Sequence, residues 1–250
     1  MKSATIASER MSCLFTKFFA LSIIICTATL LPSTGLTARG ANNSEHSLIL
    51  SLMQHQHYAD ALRHLNHAIE SDQGNGEAYI LRATVLAGLD EPQAALSDFK
   101  KALSINPKLE TVYVHDTKTK CYVDLSQLDL ALAEVNKAIK LQSSGERFRL
   151  RGDIFCQLNK NKDALESFTE AVKASPKATW TYFDRANCYA SLNMNKEAIA
   201  DYTQVIKLAP TEPAAYVSRA KAYDKLGMHD LAKQDREQAK KRTKESDFGM

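Results

Sequence analysis

Along most of the chain, apolar residues recur at intervals of three, four and seven, and polar residues fill the positions between. That spacing builds one apolar face on an α-helix, whereas a half-buried strand would alternate. Ile199, Tyr202 and Ile206 show it in one segment. The segments run about 13 residues and come in pairs split by polar turns, such as Asn193-Met194-Asn195-Lys196.

The pairs themselves repeat. Pro176 and Pro210 stand 34 positions apart, each preceded by a similar series. One series reads Phe148, Arg151, Gly152, Phe155, Ala164, Phe168, Ala171, Pro176; the next reads Tyr182, Arg185, Ala186, Tyr189, Ala198, Tyr202, Val205, Pro210. A third runs Tyr79, Arg82, Ala83, Leu86, Ala95, Phe99, Ala102, Pro107, and a fourth Tyr216, Arg219, Ala220, Tyr223, Ala232, Ala239 with Gly227 in its turn. Two worn copies hold Ile49, Leu52, Ala61, Leu65, Ala68 and Tyr122, Ala131, Val135, Ala138, with Gln73 and Ser143 at their proline positions. The frame slips near 108–111 and again near 144. Small residues such as Gly152, Ala164, Ala186 and Ala198 fall where two helices would cross closely. The proline ends the second helix, since it cannot continue a helix interior. One helical pair cannot bury both of its apolar faces, so stability requires neighbouring copies to stack.

These residues resemble the tetratricopeptide repeat family, whose pattern is W-x2-L-G-x2-Y followed by A, F, A and P at fixed offsets. Here Tyr or Phe commonly stands for the Trp and Arg for the Leu. The resemblance covers about 42–243. It implies an all-α, right-handed superhelical solenoid of about six helix-turn-helix repeats within 41–244, at about 42–75, 76–109, 112–144, 145–178, 179–212 and 213–244. A tail follows at 245–250. The last second helix carries Lys233, Gln234, Asp235, Arg236 and Glu237, which suits a terminal cap facing water.

The resemblance also implies a binding surface. In the family, first helices line a concave channel that holds an extended peptide or a partner helix. On this repeat frame the groove-facing positions are Tyr113, Asp116, Lys120, Arg149, Asp153, Trp180, Phe183, Asn187, Val217 and Lys221. Trp180, the single Trp, either faces that groove beside Phe183 and Arg149 as a binding anchor or packs between neighbouring copies. The Lys/Asn/Arg clamp with which one subfamily grips chaperone C-termini is missing: Phe183 precedes Asn187 and Ile80 precedes Thr84 where that clamp needs Lys and Asn.

Six copies occupy about 204 of the 250 residues, which leaves no room for a separate catalytic domain. G-x-S-x-G, H-E-x-x-H, P-loop and dinucleotide-binding glycine patterns are missing, and no cofactor is expected. The expected function is a non-catalytic scaffold or adaptor for a protein or peptide partner. One alternative is an oligomerisation module acting through the edge repeats. Another is metal-dependent or redox activity at the His-rich first repeat or the cysteines.

The formal charge of +3 comes from the first forty residues, where Lys2, Arg10, Lys17 and Arg39 outnumber Glu9. The balanced remainder lacks the basic face that a nucleic-acid partner requires. The run Lys240-Lys241-Arg242-Thr243-Lys244 reads as a solvated last turn or as a contact with a membrane surface or partner.

Those forty residues read as a targeting segment. Lys2, Arg10 and Lys17 precede an apolar stretch at 18–31 that stops at Pro32, and Ala38-Arg39-Gly40 offers small residues for cleavage. This suits a cleaved secretory signal, or an uncleaved membrane tether through residues 14–31. Either places the repeats on the non-cytoplasmic side, exported or membrane-anchored. A non-targeting N-terminus is the remaining reading.

His55, His57, His64 and His67 crowd the first copy, with Asp60 near, and read as a metal site or as a polar edge face. Cys121, Cys156 and Cys188 occupy near-equivalent positions in three first helices. Stacked helices lie about 8–10 Å apart, so these thiols are expected to be small buried hydrophobes beyond disulfide reach, with a disulfide or sensing role as the alternative.

Overall fold

The computed structural model describes residues 43–247. The targeting segment expected at 1–40, with its tether at 14–31, lies outside them. Twelve α-helices and no strand occur among the described residues. In chain order they are α1 (Asn43–Gln54), α2 (Tyr58–Ser71), α3 (Gly76–Gly88), α4 (Pro92–Ile105), α5 (Val112–Asp124) and α6 (Leu128–Leu141). They continue as α7 (Gly145–Gln157), α8 (Asn161–Ala174), α9 (Thr179–Ser191), α10 (Asn195–Leu208), α11 (Pro213–Lys225) and α12 (His229–Asp247). None is long and apolar enough to cross a membrane. The chain divides into two compact units at Ser126/Gln127. Among described residues the first holds α1–α5 and the second α6–α12.

Second helices bury one stripe each. In α2 that stripe is Ala61, Leu65 and Ile69, spaced by four, and in α8 it is Ala164, Phe168 and Ala171. In the first unit two clusters form the core, one around Leu65, Leu81 and Val85 and one around Phe99, Ala102 and Val114. In the second, Phe168 packs with Ala164 and Cys188, and Tyr202 with Ala186 and Ala198. The alanines at the crossings have no room to spare: Ala83, Ala95, Ala164, Ala186 and Ala198 are wholly buried.

Every first helix ends in a left-handed residue. Gln56, Asp90, Ser126, Asn159, Asn193 and Gly227 have φ between 56° and 74°, and each sits in the turn that reverses the chain into the second helix. A left-handed residue terminates a helix by turning its last amides back onto the final carbonyls, as when Met194 N donates to Tyr189 O at 2.9 Å. Second helices end at prolines or their substitutes. Where the frame slips, the chain inserts a short 3₁₀ turn, Pro107–Leu109, before Thr111 caps α5. Near the second slip, Ser144 caps α7 by accepting from Arg147 N at 3.3 Å.

The Arg that replaces the family's Leu has a structural task. Arg82 donates to both oxygens of Asp98 at 2.7 and 2.9 Å, joining α3 to α4, and reaches Asn66 of α2 with its third nitrogen. Arg185 closes on Asp201 and Arg219 on Asp235 in the same two-pronged way. These forks are strong because donor and acceptor are both charged and planar. Each guanidinium also lies 5.5–5.9 Å from a Tyr ring of its own helix, at Tyr79, Tyr182 and Tyr216. The Tyr in turn replaces the family's Trp with a hydrogen-bonding tip: Tyr182 and Tyr216 donate to the carbonyls of Pro176 and Pro210, both at 3.1 Å.

Candidate functional site

In the second unit, α7 and α9 bring charged and aromatic residues together. Arg149 and Asp153 stand one turn apart on α7, and Trp180 and Asp184 one turn apart on α9, so each pair shares a helix face. Arg149 donates from Nε to Asp184 Oδ2 at 2.6 Å and lies 5.4 Å from the Trp180 ring centre. It also stands 4.0 Å from Asp153 Oδ2 on its own helix. The guanidinium is thus a strut between two consecutive first helices. Trp180 packs across the same gap: a Cβ added at Gly145 would meet its ring at 3.3 Å. The indole thus packs between neighbouring copies and is half-buried.

Asp153 is the unusual member. Its side chain keeps 45 % of its surface, yet its pKa is raised to about 7. Desolvation by the surrounding protein is the main cause, with the nearby Asp184 adding to it and Arg149 opposing it. Water at the half-exposed side chain moderates that effect. Asp184 is pushed up by burial as well, while Arg149 pulls it back. The repeat frame did not mark Asp184; its spacing of one turn from Trp180 was the available signal.

The other expected residues fall in different settings. Phe183 is drawn into the α9–α10 packing, edge-on to Tyr202 with ring centres 5.8 Å apart, and so does not stand free as a groove anchor. Its helical position turns it toward its own partner helix. Asn187 is exposed and accepts a 2.7 Å hydrogen bond from Tyr202. On α11, Val217 and Lys221 are exposed, one turn apart. In the first unit, Tyr113 donates to Thr84 Oγ1 at 2.9 Å, tying α5 to α3. Lys120 reaches Ala87 O at 3.4 Å, and Asp116 is half-buried. Thr84 and Ile80, where the chaperone clamp needs polar groups, are both buried.

Two histidines of the first copy, His64 and His67, lie near a carboxylate that the repeat frame did not mark. Glu45 Oε1 lies 3.7 Å from His64 Nδ1 and 4.0 Å from His67 Nδ1, while Asp60 pairs with Arg63 instead. No group of three metal-ligating side chains forms among the described residues. All three cysteines are free, and Cys121 and Cys188 are buried as small hydrophobes. Cys121 is buried alone among apolar neighbours, which push its thiol up to about 12. Cys156 is half-buried and packs against the cluster that holds Cys188, Ala164 and Phe168.

Comparison with known proteins accounts for this architecture. Three sequence models, each described as tetratricopeptide repeat, match residues 47–110, 179–212 and 213–245. The chain belongs to the tetratricopeptide repeat family. No curated relative matches it. Solved structures share the fold. The C-terminal part of a TPR repeat-containing protein from Cytophaga hutchinsonii aligns with a TM-score of 0.75 at 16 % identity, over 80 % of each chain. YrrB, described as a TPR protein with an unusual peptide-binding site, gives 0.60 at 22 %, over 71 % of this chain and 91 % of that one. MamA from Desulfovibrio magneticus RS-1 gives 0.62 at 18 %, over 68 % and 95 %. At these identities the likeness establishes the tetratricopeptide solenoid fold.

Proposed function

We propose that this tetratricopeptide repeat protein is a non-catalytic adaptor that binds a partner segment along the first-helix face of its second unit. The observation that carries the reading is the cluster of Arg149, Asp153, Trp180 and Asp184 that α7 and α9 bring together, with the Asp153 side chain 45 % exposed. A ligand that completes the electrostatics of such a cluster gains from charges partly withdrawn from water. The two aspartates outnumber the one guanidinium, so a basic side chain on the partner fits best. Exposed Val217 and Lys221 extend the face along α11. YrrB's peptide-binding description supports peptide recognition as a use of this fold. On this proposal the protein is exported or tethered through residues 14–31, with the repeats on the non-cytoplasmic side.

The test is crosslinking from the face itself. A photoreactive residue at Val217, in full-length protein expressed in its native cells, captures the partner on irradiation. Asp153→Lys combined with Lys221→Glu changes only accessible charges, so folding is retained and checked by the thermal transition. Loss of the crosslinked partner in that variant supports the adaptor reading. An unchanged crosslink yield rejects this face as the binding surface.

An oligomerisation role is favoured by one feature, the exposed trio Leu226, Met228 and Leu231 at the turn between α11 and α12. A mass by light scattering that rises with protein concentration, and stays monomeric in Leu226→Lys/Leu231→Lys, would support self-association at that turn.

A further inference from the structure

Cys156 and Cys188 lie on α7 and α9, whose backbones come within 8 Å of one another. Both belong to one packing cluster, with Ala164 and Phe168 beneath them and Phe155, Leu165 and Leu192 around. Cys188 is 3 % exposed and directs its Sγ to Asn161 O at 3.4 Å. Cys156 is half-buried and so is the thiol that solvent reaches. A pair of this kind differs from Cys121, which is buried without a second thiol beside it. Disulfides need Cα atoms about 4.4–6.8 Å apart and facing Cβ vectors; α7 and α9 are adjacent helices with Cα atoms within 8 Å, and both cysteines pack in one cluster between them.

We propose that Cys156 and Cys188 form a dithiol site that a small-molecule disulfide oxidises to an intramolecular disulfide, covalently joining α7 to α9. Cys156 loses its proton and attacks one sulfur of the small disulfide. A mixed disulfide forms on Cys156, and the first small thiolate leaves. Cys188, deprotonated, then attacks Cys156 Sγ, closes the protein disulfide and expels the second thiolate. The two cysteines surrender two electrons and two protons, and the small disulfide becomes two small thiols. The division of labour matches the environment. The hydrogen bond from Cys156 lowers the Cys188 pKa, which favours it as the resolving nucleophile. Cys156, the donor in that hydrogen bond, desolvated, and near Asp153 and Asp184, is pushed up. Cys156 therefore initiates through its access, at a rate that rises with pH. This site is independent of the adaptor reading, although the bond would fix the two helices that carry Arg149, Asp153, Trp180 and Asp184.

The test treats reduced full-length protein with oxidised glutathione, quenches with an alkylating reagent, and maps peptides by mass spectrometry. The expected product is a peptide pair joined through Cys156 and Cys188, with Cys121 alkylated. Its formation after glutathionylation is unaffected by diluting the protein, dithiothreitol reverses it, and the thermal midpoint is higher in the oxidised form. In Cys188→Ser the glutathione adduct accumulates on Cys156, because no resolving thiol remains. A wild-type protein that retains a stable adduct on Cys156, stays fully reduced, or links through Cys121 or between chains overturns the proposal. The wild-type map decides the matter even if Cys188→Ser fails to fold.

Discussion

Arg151 donates from Nε to the hydroxyl of Ser167 at 3.0 Å, at the position where Arg185 meets the carboxylate of Asp201. The fourth repeat thus keeps the arginine of the fork and lacks its acid. The electrostatics follow. Hydrogen bonding to Asp201 raises the Arg185 pKa, whereas burial lowers that of Arg151, with only the more distant Glu170 and Glu166 opposing. Ser167→Asp restores a charged, two-pronged contact and is expected to add about 1 kcal/mol, since hydrogen bonds to charged groups contribute about 1.5–3 kcal/mol and partial exposure reduces that. Asp201→Ser is expected to remove about 1–2 kcal/mol by the same reasoning. Urea unfolding monitored by helical circular dichroism checks both; a Ser167→Asp variant no more stable than wild type would mean that Glu166 and Glu170 already satisfy Arg151.

The titration of Asp153 should be visible in stability. Its pKa is about 7 in the folded protein against 3.8 ordinarily. Between those values the folded state holds a proton that the unfolded state releases, so stability falls as pH rises from about 4 through about 7. Above pH 7 the folded protein carries an ionised carboxylate facing Asp184, relieved in part by Arg149. Asp153→Asn removes the titration while keeping the size. Its thermal midpoint is expected to match wild type near pH 4 and to exceed it near pH 8. Solvent at the half-exposed side chain limits the size of the gap. A constant difference across that range would show that Asp153 titrates normally.

The fold was legible because its signals are local and repeated. Tyr182, Arg185, Ala198 and Pro210 recur at fixed spacing, and helix period, small-residue crossings and proline stops all agree. The site was less legible. Lys221 and Val217 lie on exposed helix surface, whereas Phe183 turns inward onto Tyr202. That difference depends on side-chain packing within one hairpin, and a residue-by-residue frame does not carry it. Asp184 and Glu45 were missed for a related reason: their roles are set by residues on neighbouring helices, Arg149 for one and His64 with His67 for the other. The Arg–Asp fork did leave a sequence trace, an acid at a constant offset from Arg82, Arg185 and Arg219, and the loss of that acid at Ser167 marks the exception.

The turns offer a further test. Gln56 and Ser126 hold φ of 61° and 56°, where an L side chain crowds its own backbone. Asn159 and Asn193 tolerate this better, and Gly227 adopts it without penalty. Gln56→Gly and Ser126→Gly are each expected to stabilise by about 1 kcal/mol, the strain of a left-handed residue less the added chain entropy of glycine. Gly227→Ala should cost a similar amount, since open space at its Cβ leaves backbone strain as the only effect. Chemical denaturation of the three variants measures the balance. Destabilisation by Gln56→Gly would show that the unfolded-chain entropy outweighs the strain there.

Gly152 sits at a close helix crossing in the second unit. A Cβ there would stand 2.6–2.9 Å from three atoms of the Phe168 ring, and that ring is 2 % exposed. The equivalent positions in other repeats hold Ala83, Ala186 and Ala220, all buried, so alanine is acceptable to the frame in general. In this copy it is not, because Phe168 has moved into the space. Gly152→Ala gains about 1 kcal/mol of helix propensity but meets an overpacking cost of about 1–3 kcal/mol. The expected outcome is a net loss of about 1 kcal/mol, set by those two magnitudes. Phe168→Leu costs stability in the wild-type background by leaving part of the site unfilled. In the Gly152→Ala background it should cost much less, because the smaller side chain makes room for the new methyl. A double-mutant cycle isolates that coupling. Additive losses would separate Gly152 from Phe168 and trace the intolerance of alanine to α7 itself.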